Sequence, residues 1–256
     1  MKQIIALFTS NFSIGKSILT LEEPNKCTPE GSDSLLQIAQ ELNLKQVCLV
    51  ESTMVSFKKA HEAFSKLNTQ LIYGVKFSAA NNRFDEPALR ETSHHKAIVF
   101  AKNDNGCKEL TKLYSEAHTK SDGFVDYQLL KEFFGQNNLK LAFPFYSSFI
   151  HKNNFYGKQA LPDWSFTNPW IFVGSHGLPF DELLRQKTFA YAEQHGIVPV
   201  ETHSIYYKNR EDIDAYTVFR ILTDRKQGKP QTLDNPNLEQ HGSDSFCLQS
   251  FLEKAQ

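Results

Sequence analysis

Several common marks of function are missing from this 256-residue sequence. The four cysteines, Cys27, Cys48, Cys107 and Cys247, are widely scattered with no Cys-x-x-Cys pair, which leaves no pattern for a zinc knuckle or a disulfide framework. Charge of one sign is also lacking: 28 Lys and Arg oppose 29 Asp and Glu, for a net charge of -1. A domain that grips nucleic acid unaided carries a strongly basic face, so any contact with DNA would have to be local or shared with other parts. No apolar run is long enough to span a membrane, and the opening from Met1 to Phe8 is too short for a secretion signal. Together with the unpaired cysteines, this points to the reducing cytoplasm and to no membrane partner. There is no internal repeat and no low-complexity tract. One motif is present only in part. Gly15-Lys16-Ser17 looks like the end of a phosphate loop, but the glycine required before it, with four residues between, is Ser10.

What is present is an ordinary globular composition, 40% hydrophobic and 22% charged, enough to bury a core in one large domain or two small ones. Runs dense in apolar and β-branched residues predict strands over Ile4–Phe8, Gln46–Glu51, Gln70–Phe77, Lys96–Ala101, Leu139–Phe145, Trp170–Gly174 and Ile197–Thr202. Amphipathic segments lie between them. One opens at Ser32-Asp33-Ser34 with Leu35, Ala39 and Leu42 on a stripe, and a second carries Leu110, Leu113, Tyr114 and Ala117. A third starts with Pro179 and acids and stops at Gly196. Strands each followed by helical sequence predict parallel pairing with right-handed crossovers and chemistry at the C-terminal strand ends. The stretch from Lys229 to Ser250 is rich in turn formers and reads as irregular.

The segments Leu35–Phe77, Ala97–His118 and His176–Leu222, then Gln231–Asn237 and Gly242–Phe251, resemble in order and wording the PHP (polymerase and histidinol phosphatase) domain that begins the alpha subunit of bacterial DNA polymerase III. The resemblance implies an α/β fold, a distorted (βα)7 barrel of mostly parallel strands over residues 1–228. Residues 229–256 would then form an irregular extension leading toward the rest of a polymerase. It also implies where metal ligands would stand. Phe12-Ser13 fits the aromatic-Ser pair after the family's first strand, which puts Leu7 and Thr9 at two histidine positions. After the second strand the Asp-His pair becomes Glu51 and Ser52. An acidic position becomes Lys76, the histidine opening the fourth strand becomes Lys96, a Cys or His position becomes Phe145, and the final Asp-x-His becomes Ser204 and Tyr206.

Of these positions only Glu51 keeps a metal-binding chemistry, and its plainer reading is a partner for a lysine such as Lys76. His94 and His95, adjacent in extended chain and so pointing apart, read as a solvated loop; His176 reads as a hydrogen-bonded surface residue, and His203 as one residue out of register. The resemblance with these replacements implies a degenerate, non-catalytic domain with no cofactor, serving replication through the remainder of the alpha subunit and the proofreading exonuclease subunit, with DNA met only by the whole polymerase. The alternative is an active phosphoesterase or 3′-to-5′ exonuclease. It would use Glu51, His94, His95, His176 and His203 around a divalent Zn, Mn or Fe in a rearranged site.

Overall fold

The computed structural model describes residues 4–223 and 243–255. Along the chain run β1 (Ile5–Phe8), α1 (Leu35–Glu41), β2 (Gln46–Glu51), α2 (Phe57–Lys66), β3 (Gln70–Ala79), α3 (Pro87–Ser93), β4 (His95–Ala101) and α4 (Asp104–Lys120). They are followed by β5 (Phe124–Val125), α5 (Tyr127–Phe133), β6 (Leu139–Phe143), α6 (Phe149–Phe155), β7 (Trp170–Val173), α7 (Asp181–Gln194), β8 (Pro199–Ile205), α8 (Ile213–Thr223) and α9 (Leu248–Ala255). The sheet order β2-β1-β8-β7-β6-β4-β3 closes through a β2–β3 pairing into a seven-stranded barrel, and the short β5 adds to the end of β3. This is the PHP-type (βα)7 barrel.

Five of its seven seams are parallel, as the mostly parallel barrel expected from the sequence requires, and the two exceptions are those made by β4. That strand runs antiparallel to both β3 and β6. The cause is the connection before it. A ten-residue strand such as β3 rises about 33 Å, while the seven residues of α3 cover only about 10 Å as helix, too little to carry the chain back. β4 therefore starts at the end where its neighbours finish.

Local chemistry fixes the other turns. Ser34, Asn103, Asp126 and Ser148 cap α1, α4, α5 and α6 by accepting backbone N–H bonds from the first turn. Three helices end alike. Asn43 and Asn68 adopt left-handed backbone after α1 and α2, as Gly196 does after α7, and Leu44, Thr69 and Ile197 each donate back to a carbonyl in the last turn, Ala39, Phe64 and Ala192.

Pleating divides the core in two. Outward strand residues such as Phe8, Leu49, Val75, Val99 and Ile205 pack with the helices in one large cluster. Leu7, Val50, Ile98, Phe100, Ala142 and Phe172 form a smaller one inside the barrel. Gly74 belongs to the inner face, where a Cβ would lie 2.5 Å from the Phe100 ring. The C-terminal stretch is less irregular than its composition predicts. Tyr206 donates its backbone N–H to Phe246, and Leu248 donates back to Tyr207, bringing α9 against the chain that leaves β8. The Gln231–Asn237 segment and the boundary expected at residue 228 lie outside the described residues. No described helix is long and apolar enough to cross a membrane.

Candidate functional site

At the barrel end where most strands finish lies a cavity of about 120 Å³, room for several waters. Pleating selects its walls: Leu7 and Thr9 from β1 and its exit, Ser52 after β2, Lys76 on β3, Ser204 on β8 and Tyr206 just beyond it. Phe145 follows β6 into the same wall, and Lys96 reaches it from the start of the reversed β4. Of the nine former-ligand positions carried over from the resemblance, only Glu51 is missing from this lining. Below them Val50, Ile98 and Phe172 form an apolar floor.

Further residues complete the cavity that the sequence did not single out. Lys16 enters from the loop after β1, and Tyr216 and Arg220 from α8. Lys16 had a signal in the incomplete phosphate loop; Arg220 had none, because nothing local says that α8 crosses the mouth. No α-helix occurs between β1 and α1, so Gly15-Lys16-Ser17 lacks the strand-loop-helix setting of a phosphate loop. An aromatic stack forms one side: Tyr216 on Tyr206, Tyr206 on Phe246, and Phe246 on the His176 imidazole with centroids 4.1 Å apart and planes 4° from parallel.

His176 is buried, not a surface residue, and its protonation can be read from its partners. The Ser204 backbone N–H donates to Nε2 at 3.1 Å, so that nitrogen is an acceptor. Nδ1 therefore carries the proton and donates to the Tyr146 hydroxyl, 3.1 Å away, which itself donates to Asp181 Oδ1 at 2.7 Å. Asp181 Oδ2 accepts the His176 backbone N–H. Burial holds this imidazole well below its ordinary pKa. Both ring nitrogens are thus committed to keeping the ring in place.

Glu51 sits behind the lining rather than in it. It accepts the Ser10 backbone N–H and the hydroxyls of Ser10 and Ser13, so serines, rather than an ion pair with Lys76, are its partners. Burial pushes its carboxyl up to about 7, against these hydrogen bonds and the nearby Lys76 charge. The solvated loop expected for His94 and His95 is also corrected. His95 opens β4 and is fully buried, donating to the Ser93 carbonyl and facing the Tyr127 hydroxyl at 2.8 Å. His94 packs edge-on to Phe124. His203 alternates away from Thr202 and Ser204 into the outer layer, where burial lowers it to about 4. It lies 4.4 Å from His176, ring to ring, while His94 and His95 stand elsewhere, so the alternative ligand set does not gather.

A divalent cation does not fit this donor set. Among the described residues the lining holds one imidazole with both nitrogens engaged, no carboxylate, and the cations Lys16, Lys76, Lys96 and Arg220. Among the described residues no three His, Cys, Asp or Glu side chains converge as metal ligands. A divalent ion there would meet like charge in place of the carboxylates and free imidazoles it requires.

The chain is 24% identical over 214 residues to the DNA polymerase III subunit alpha of Aquifex aeolicus (strain VF5), a match covering 76% of this chain but 18% of that relative. The chain thus spans less than a fifth of that relative's length. A crystal structure of a protein described as a metal-dependent phosphoesterase from Bifidobacterium adolescentis ATCC 15703 overlaps 79% of this chain and 88% of its own, at 12% identity and a TM-score of 0.45. The PHP domain model matches residues 30–157, half the chain. That match, on a closed seven-stranded barrel, makes this chain a member of the PHP domain family.

Proposed function

We propose that this chain is a non-catalytic PHP domain of a DNA polymerase III alpha subunit, retained for its structural and binding role in replication. The observation that carries this reading is the lining of the cavity. Eight of the nine positions that resemblance assigns to ligands line it, and they bear Leu7, Thr9, Ser52, Lys76, Lys96, Phe145, Ser204 and Tyr206, a set that forms no ordinary divalent-metal site. Its partners would be the rest of the alpha subunit and the proofreading exonuclease subunit, in the cytoplasm, with DNA bound by the whole polymerase.

Elemental mass spectrometry of the chain purified without added metal or chelator, alongside a phosphodiester hydrolysis assay with manganese, tests the proposal. The expected result is less than stoichiometric zinc, iron or manganese and no turnover above a buffer control. One or more tightly bound ions per chain together with turnover would overturn it.

A further inference from the structure

A surface helix ordinarily hides its apolar residues and shows its charges. The segment around α3 does the reverse. Arg83 and Arg90 are 9% and 8% exposed, with Arg83 paired to Asp126 at 2.8 Å and Arg90 to Asp122 at 3.2 Å, whereas Phe84 and Leu89 stand 62% and 55% exposed with Pro87 and Ala88 exposed between them. Phe84 is also held in place. Its backbone N–H donates to Asn82 Oδ1 at 3.0 Å, and the Arg83 guanidinium lies 4.4 Å from its ring centroid, so an aromatic face meets solvent with little freedom left to lose on binding. Asn81 brings a further apolar residue to the segment. Its side chain accepts the Leu161 N–H and donates to the Gln159 carbonyl, while the Gln159 N–H donates to the Thr92 carbonyl, and Leu161 is 74% exposed. The charges left at the surface of the segment are acidic. Glu91 is paired with Lys158, but Asp85 and Glu86 form no salt bridge among the described residues.

We propose that this face docks a short segment of another protein, apolar at its centre and flanked by Lys or Arg, with Phe84, Leu89 and Leu161 as the apolar anchors and Asp85 and Glu86 as the partners of its charges. The size of the patch sets the kind of occupant. A standard interface between two folded surfaces takes about 20–30 residues a side, whereas this face offers three large apolar side chains with Pro87 and Ala88, which suits a peptide. Its acids select basic flanks, and they repel both the same face on a second copy and an anionic membrane. None of these residues lines the barrel cavity, so the docking face stands whether or not the barrel is catalytic.

The test is selection of phage-displayed random peptides on the immobilised chain, followed by calorimetry of the enriched sequences as synthetic peptides. We expect enriched sequences with Lys or Arg close to Leu, Ile or Phe, and saturable one-to-one binding. F84A and L89A, each checked for folding by circular dichroism, should weaken that binding about tenfold or more. D85N and E86Q combined should weaken it and flatten its dependence on sodium chloride. V198A, at an exposed apolar residue just before β8, should leave it unchanged. No enrichment, enriched peptides without basic residues, or binding that both F84A and L89A leave intact overturns the inference. A dimer of the free chain in sedimentation that F84A dissociates also overturns it, because the occupant is then a second copy. None of these outcomes touches the non-catalytic reading, which metal content and phosphodiester hydrolysis decide separately.

Discussion

The floor and the mouth of the barrel are built from the same strands and obey different rules. On β4, Phe100 and Ile98 face the interior low down and belong to the dry inner cluster, whereas Lys96, two residues further toward the mouth on the same face, enters a charged cavity. β3 repeats the pattern with Ile72 packed below, Gly74 making room for Phe100, and Lys76 above. One stripe of alternating residues thus changes from apolar packing to charge within a few ångströms. Substitutions in the apolar floor should therefore cost the fold more than substitutions at the mouth.

The largest effect should come from the floor. Phe100→Ala removes a buried ring that meets Trp170 and Phe172, and should cost about 3–5 kcal/mol in urea unfolding. Gly74→Ala, which drives a Cβ into that ring, should cost about 1–3 kcal/mol; a neutral result would mean the floor is looser than its geometry. At the mouth, Lys76→Met should shift stability by less than about 1 kcal/mol or raise it, since it removes one of several like charges. A loss as large as that of Phe100→Ala would erase the distinction between the two regions. Smallest of all is the effect of chelation: excess EDTA should leave the melting temperature unchanged, and a fall of several degrees would show that the mouth is held by metal.

Acid sharpens the comparison further. Burial lowers His95 and His203 to about 4 and His176 well below its ordinary value, so all three are neutral in the fold while the unfolded chain protonates near 6.5. Their contribution to stability is complete above pH 6.5 and is lost as pH falls through their folded values. Glu51 runs the other way: its carboxyl is raised from 4.5 to about 7, so its contribution is complete below 4.5 and lost as pH rises through 7. His94, which burial also lowers to about 4, adds to the histidine side, so four groups outweigh one and stability should fall between pH 6.5 and 4.5. Glu51→Gln removes the opposing group and should steepen that fall, measured by urea midpoints across the range; an unchanged slope would mean that Glu51 does not titrate there.

Which parts of this could be read in advance follows from the range of each interaction. The strands were legible because buried β-branched runs such as Gln46–Glu51 stand out, and the helix ends because Ser34 and Gly196 act on their own neighbours. The inward set Leu7, Lys76, Lys96 and Ser204 was legible through alternation combined with a family pattern. His176 was misjudged because a loop histidine in a sequence carries no sign of the Tyr146 and Asp181 side chains that enclose it. Glu51 was assigned to Lys76 when its partners, Ser10 and Ser13, lie about forty residues earlier.

Residue type and neighbours a few positions away were enough to set the strands, the caps, and the pleat that sends each side chain inward or outward, because these interactions are local. Only the tertiary structure decided that β4 would run backwards, that Lys96 would therefore meet Lys76, and that Arg220 would arrive from α8 to join them. Those outcomes depend on how far a short helix can carry the chain and on which ends of distant elements share one rim, and barrel closure sets both.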